Sequence, residues 1–117
     1  MIPDIFTILN QPSVNAFVGS RIYGAGHAGD SPQYPYITWQ VISGQPNNLL
    51  SEAPTIDNAR VQINIWSRSE SEVRQAAEAA RDVLDLFGYQ SILIGPQKDP
   101  DTKSYRIQMD YSIWSHR

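Results

Sequence analysis

Gly24, Gly26 and Gly29 stand with His27 and Asp30 inside GAGHAGDSPQ, residues 24–33, the densest set of chemistry-bearing types in the chain. Glycines let a backbone cradle a phosphate, and a His with an Asp can share a metal. The spacing argues against both. The glycines are not followed by the Lys-Ser/Thr of a phosphate loop, and the later glycine of a dinucleotide fingerprint is missing. One His and one Asp supply two ligands where most metal sites take three or four. A surface loop over 24–33 is the expectation. Asp99 and Asp101 offer two carboxylates two apart, without the further oxygen ligands and the closing glutamate of a calcium loop. Asp and Pro100 there read as a turn between strands. His116 lies next to the chain end, where fraying is expected. No Gly-x-Ser-x-Gly elbow marks a nucleophile. The chain has no cysteine, which removes disulfides, thiolate metal sites and a cysteine nucleophile. These residues point to a protein that is not an enzyme, with no catalytic residue, metal or cofactor.

What remains is the chemistry of surfaces. Trp39, Trp66 and Trp114 all fall in strand-like stretches. Trp39 shares parity with Ile37 and Val41, whereas Trp66 and Trp114 share parity with polar side chains. Two readings compete for that polar side. In one, Trp39 is core and the other two tryptophans cap sheet edges. In the other, Trp66 and Trp114 with Gln62, Asn64, Gln108 and Ser112 form a surface made to be covered. Interfaces enrich Trp and Tyr and deplete charge, whereas a solvated sheet face would carry more Lys and Glu. Leu49 and Leu50 raise the same choice. They lie mid-loop in GQPNNLLSEAPT, residues 44–55. Either one tucks under the chain's own core, or both dock on a partner protein.

The elements that position these residues follow from periodicity. Residues 3–9 suit a short helix, and Pro12 suits the first turn of a second, with Gly19 at its C-cap. Strands are expected over 20–23, 35–43 and 60–66. Val61, Ile63 and Ile65 alternate there with Arg60, Gln62, Asn64 and Trp66. Ser69 and Glu72 then form a capping box. Val73, Ala76, Ala77, Ala80, Leu84 and Phe87 follow at helical spacing, and Gly88 is the expected stop. Glu70–Arg74, Arg74–Glu78 and Arg81–Asp85 are i,i+4 pairs of opposite sign. Strands at 89–94 and 105–114 flank a turn over 95–103. The order α-α-β-β-β-α-β-β predicts an α+β fold, a mostly antiparallel sheet packed against one long helix, with two short N-terminal helices.

Bulk properties narrow the class. A length of 117 residues fits a single domain over 1–117, and 41% apolar content is ordinary for a globular one. The first fourteen residues lack the basic region and apolar run of a signal peptide, and no stretch approaches the ~18 apolar residues of a membrane span. With net charge −3 and lysines only at 98 and 103, the chain lacks the basic patch of a nucleic-acid binder.

Gly19-Ser20-Arg21-Ile22-Tyr23, Tyr34-Pro35-Tyr36 opening a strand, Ile42-Ser43-Gly44, and Ala59 to Ser67 leading into a capped helix form an ordered set. In that order the chain resembles the tail-completion, or tail terminator, proteins of long-tailed bacteriophages, and is similar to the lambda-type terminator over almost its whole length. The resemblance implies a virion protein of the tail-neck region, made in the host cytoplasm. It implies a homohexameric ring on the last ring of the tail tube that stops tube polymerisation and offers a surface for head-tail joining. The implied partners are other copies of the chain, the tail tube protein and the head-tail connector protein. DNA would pass through the lumen without specific binding, and no membrane is involved. Other neck components, such as a head-completion protein, and a small-ligand-binding α/β module are the alternatives. The glycine-rich loop with His27 departs from the shorter, proline-containing segment expected of the family.

Overall fold

The structure, a computed structural model, describes residues 4–24, 33–46 and 56–116. Helix α1 spans Ile5–Leu9, and its N-cap Asp4 accepts bonds from the Thr7 amide and hydroxyl. Those bonds hold the Asp4 carboxyl below its usual pKa. Helix α2 spans Pro12–Val18 and ends at Gly19, whose φ of 59° is open to a residue without a Cβ. Then come β1 (Ile22–Gly24), β2 (Tyr36–Pro46), β3 (Ile56–Ser67), α3 (Glu70–Leu84), β4 (Gly88–Asp99) and β5 (Ser104–His116). The strands form one sheet in the order β1-β2-β3-β5-β4. Only β1 and β2 run parallel; the other three pairings are antiparallel. The fold is the expected α+β arrangement.

Period-2 patterning makes the sheet two-faced. Ile37, Val61, Ile63, Ile65, Ile107, Met109, Tyr111 and Ile113 point to one side and are buried. Val73, Ala76, Ala77, Ala80 and Leu84 of α3 close over them, joined by Ile5, Leu9, Val14 and Val18 of the short helices. Burying each large aliphatic side chain stabilises the fold by about 1.5–3 kcal/mol. The three alanines carry little bulk, so α3 can lie close to the strands. Tyr111, fully buried, donates its hydroxyl to Asp85 at 2.8 Å.

Several local expectations are corrected. The strands are longer than their patterns suggest, so 44–46 belong to β2 and 56–59 to β3. A bulge between Val41 and Ser43 explains the adjacent apolar pair in β2: Val41 packs on the core and Ile42 is turned out, 47% exposed. Residues 95–99 continue β4 rather than form a turn. Pro96 sits where the register breaks between Ile94 and Gln97, so its missing N–H costs no ladder bond. The turn shrinks to 100–103, where Asp99 accepts from the Asp101 amide. His116 ends β5 opposite Ile56 rather than fraying.

Helix α3 stops at Leu84, one turn early. Phe87, expected on its apolar stripe, is exposed, and Val83 takes a buried place instead. Gly88 opens β4 because a Cβ there would collide with the Ser112 carbonyl, not because it caps the helix. The capping box is relayed. Ser69 Oγ accepts from the Glu72 amide at 3.2 Å, but Glu72 does not reach the Ser69 amide. It accepts from the Ser67 hydroxyl at 2.7 Å, and that hydroxyl accepts from the Ser69 amide. Of the three i,i+4 pairs only Glu70–Arg74 closes, at 3.2 Å. It is the one with the acid nearer the N-terminus, the favoured order.

Candidate interaction surface

All three helices share one side of the sheet: α3 packs on β3, β4 and β5, α1 and α2 pack on α3, and α1 reaches β1. No described element covers the other side. Register places the polar-parity residues there in rows. Tyr36, Trp66, Arg106 and Gln97 make one row. Thr38, Asn64, Gln108 and Ile94 make the next, and Gln40, Gln62, Asp110 and Ile92 the third. Ser112 follows, between Arg60 and Tyr89.

The face therefore carries the side chains singled out by parity, but not as one cluster. Gln62, Asn64 and Gln108 are neighbours at its centre. Trp66 lies at one end and Trp114 at the other. Trp114 is eight residues beyond the partner of Trp66, about 27 Å at roughly 3.4 Å per residue. Nor does Trp66 cap an edge, because β3 is the middle strand. It stacks on Tyr36 with ring centroids 5.9 Å apart and an interplanar angle of 12°, and the Arg106 guanidinium lies 5.6 Å from its ring. Tyr23 and Tyr34 close on Tyr36 at 6.2 and 5.2 Å, and Arg68 lies 5.0 Å over Tyr34. Each contact follows from facing aromatic and cationic groups. Burial in this cluster pushes the Tyr36 hydroxyl up to about 12, with the neighbouring Tyr34 adding to the effect. Trp39, on the helix side, is partly buried against the core.

Charge at the centre is tied up. Asp110 is only 4% exposed and pairs with Arg60 at 3.4 Å; Gln108 donates to its other oxygen. Gln40 and Asn64 both donate to Gln62 Oε1. Asn64, 9% exposed, keeps a buried Oδ1 with no partner. Such a face presents amides, hydroxyls and aromatic rings with little free charge, which suits contact with another protein more than contact with water alone.

Leu49, Leu50, His27 and Asp30 lie outside the described residues. Among the described residues, no three groups of metal-ligating type come together. Sequence reasoning missed a second feature, a line of exposed apolar side chains beside β4. Leu86, Phe87, Tyr89, Leu93 and Ile94 belong to it, and Tyr89 meets Trp114 at 5.4 Å. The uncharged run YQSILI was its signal.

No curated protein matches the sequence. In fold, the chain is similar to one from the virion of a native gene transfer agent particle. The TM-score is 0.65 at 15% identity, over 95% of this chain and 92% of that one. At that identity the likeness speaks for the fold alone. The family model of tail completion protein gp17 matches residues 4–116, nearly the whole chain. With that match over nearly its whole length, the chain belongs to the tail completion protein gp17 family, a family of structural proteins of the phage-type virion tail.

Proposed function

We propose that the chain, acting as one domain over 1–117, forms a six-membered ring at the head-proximal end of a tail tube. The ring ends tube polymerisation and offers a surface to the head-tail connector. The observation that carries this reading is the sheet face that no described element covers. Its central Asp110 is paired with Arg60, the Arg106 guanidinium lies over Trp66, and its aromatic rings are preorganised by stacking. Gln62, Asn64, Trp66, Gln108, Ser112 and Trp114 are its contact residues, toward the tube protein or a neighbouring subunit. Heterologous contacts that close by rotation make a ring without using up both outer faces. A net charge of −3 with two lysines suits a lumen that lets DNA pass, since gripping phosphates needs clustered cations. The role is mechanical and uses no catalytic residue.

Particles produced without the chain test the terminating role: tails are expected to grow to uncontrolled length and to lack heads. Imaging of complete particles is expected to show six copies at the neck. Twelve copies, none, or normal tails in the chain's absence would overturn the reading.

A further inference from the structure

Among the described residues, exposed large apolar side chains gather beside β4, an edge strand of the sheet. Of the eight large ones among the described residues, Leu86, Phe87, Tyr89, Leu93, Ile94 and Trp114 lie on or beside β4. Ile42, the bulge residue of β2, projects near the opposite edge; only Phe6, on α1, lies elsewhere. The six beside β4 leave on the order of 700 Å² uncovered, close to the ~800 Å² that each partner gives to a standard stable interface.

Edge strands are usually defended by charge, proline or a covering element. Here Pro96 and Lys98 guard only the far half of β4, and Tyr89–Ile94 carries no charge. Both sides of that half carry apolar side chains, although Arg74, Glu78 and Arg81 of α3 rim the helix side. On the helix side, exposed Leu93 borders a groove of about 360 Å³ between β4 and α3, with Ala77, Ile107 and Met109 among its lining. On the open side, Tyr89 and Trp114 pack together. A strand laid along β4 would gain backbone bonds and cover apolar surface on both sides.

We propose that neighbouring copies of this chain join by sheet extension, the outer edge of β4 on one copy pairing antiparallel with the outer edge of β2 on the next. The inference rests on the ring reading above and assigns its subunit contact. Strand sense supports the match. β2 is antiparallel to β3, β3 to β5, and β5 to β4, so β4 runs opposite to β2. Rotation about an axis along the strands preserves that opposition in the next copy, so the joined edges are antiparallel. Among the described residues, β1 pairs only with Ile37–Trp39, and Gln40–Gln45 of β2, also uncharged, continues past it. Two different edges of one chain then make the head-to-tail contact that a closed ring requires. The central polar face stays available for the tube protein.

Tyr89 and Leu93 are exposed, so the double variant Tyr89→Lys, Leu93→Lys is expected to melt like the parent yet remain monomeric where the parent assembles, by sedimentation and by imaging of particles. In the parent, amide exchange across 89–94 is expected to slow about tenfold or more on assembly, which reads the contact without any substitution. A double variant that closes rings normally, or unchanged exchange in an assembled ring, overturns edge pairing and leaves the ring itself standing. A parent chain that forms no ring in solution or in particles overturns both.

Discussion

Tyr36 concentrates much of what single residues do here. It is nearly buried among Tyr23, Tyr34 and Trp66, and burial raises its hydroxyl from 10 to about 12. The neutral phenol is therefore favoured by the fold. Its contribution is fully present below pH 10 and is lost as pH rises from 10 to 12. A two-unit shift corresponds to on the order of 2–3 kcal/mol. Denaturant titrations at pH 9 and pH 12 are expected to show a loss of at least that size, reduced in Tyr36→Phe. A loss remains in the variant because burial also raises fully buried Tyr111, whose bond to Asp85 adds to the effect. The same pattern, a polar group dressed by specific neighbours, recurs at Asp110 and Asn64. All three lie on the face that carries the proposed function.

Helix α3 shows how an element joins local and distant causes. Its start was legible: Ser69 and Glu72 announce a cap, and Val73, Ala76, Ala77 and Ala80 announce a buried stripe. Ala80 is completely buried between helix and sheet. Ala80→Asp is expected to abolish cooperative melting, because an unpaired buried carboxylate costs several kcal/mol, comparable to the whole stability of such a domain. A retained sharp transition in circular dichroism would show that the helix can turn that face to water. The end of α3 was not legible. Phe87 continues the spacing, but Gly88 must enter the sheet against Ser112, and that constraint lies 24 residues away in sequence. The bulge at Ile42 and the passage of β4 through Pro96 were hidden for the same reason. Each is a property of the strand next door.

Among the described residues the chain is a one-sided sandwich, with helices on one face of the sheet and none on the other. At this scale the open face and the β4 edge are separate surfaces, to which the proposed function and the proposed edge pairing assign a tube protein and a second copy respectively. Gln108→Lys tests the division. Gln108 lies mid-face and only partly buried, so the variant is expected to stay within about 1 kcal/mol of the parent in stability and to form rings. It is expected to fail in tail completion, because an added cation must be desolvated under the partner. Normal completion, scored by tail length and head attachment, would make the face a merely solvated one.

By itself the sequence determined the fold class, the order of the eight elements and the two-faced strands. Period 2 and period 3.6 are local, and Ile63, Ile65, Ile107 and Met109 declare their side without reference to any partner. It also limited the chemistry: a chain with no cysteine and two distant histidines offers little to a metal. Only the tertiary structure decided which polar-parity residues meet. Parity says that Trp66 and Trp114 share a face, whereas strand order and register place them at its opposite ends. Register likewise gives Trp66 its partners, Tyr36 from β2 and Arg106 from β5, and makes β4 an edge although three strands and three helices precede it in the chain. Strand pairing is a long-range choice, set by how the whole apolar face is buried, and no window of neighbouring residues contains it.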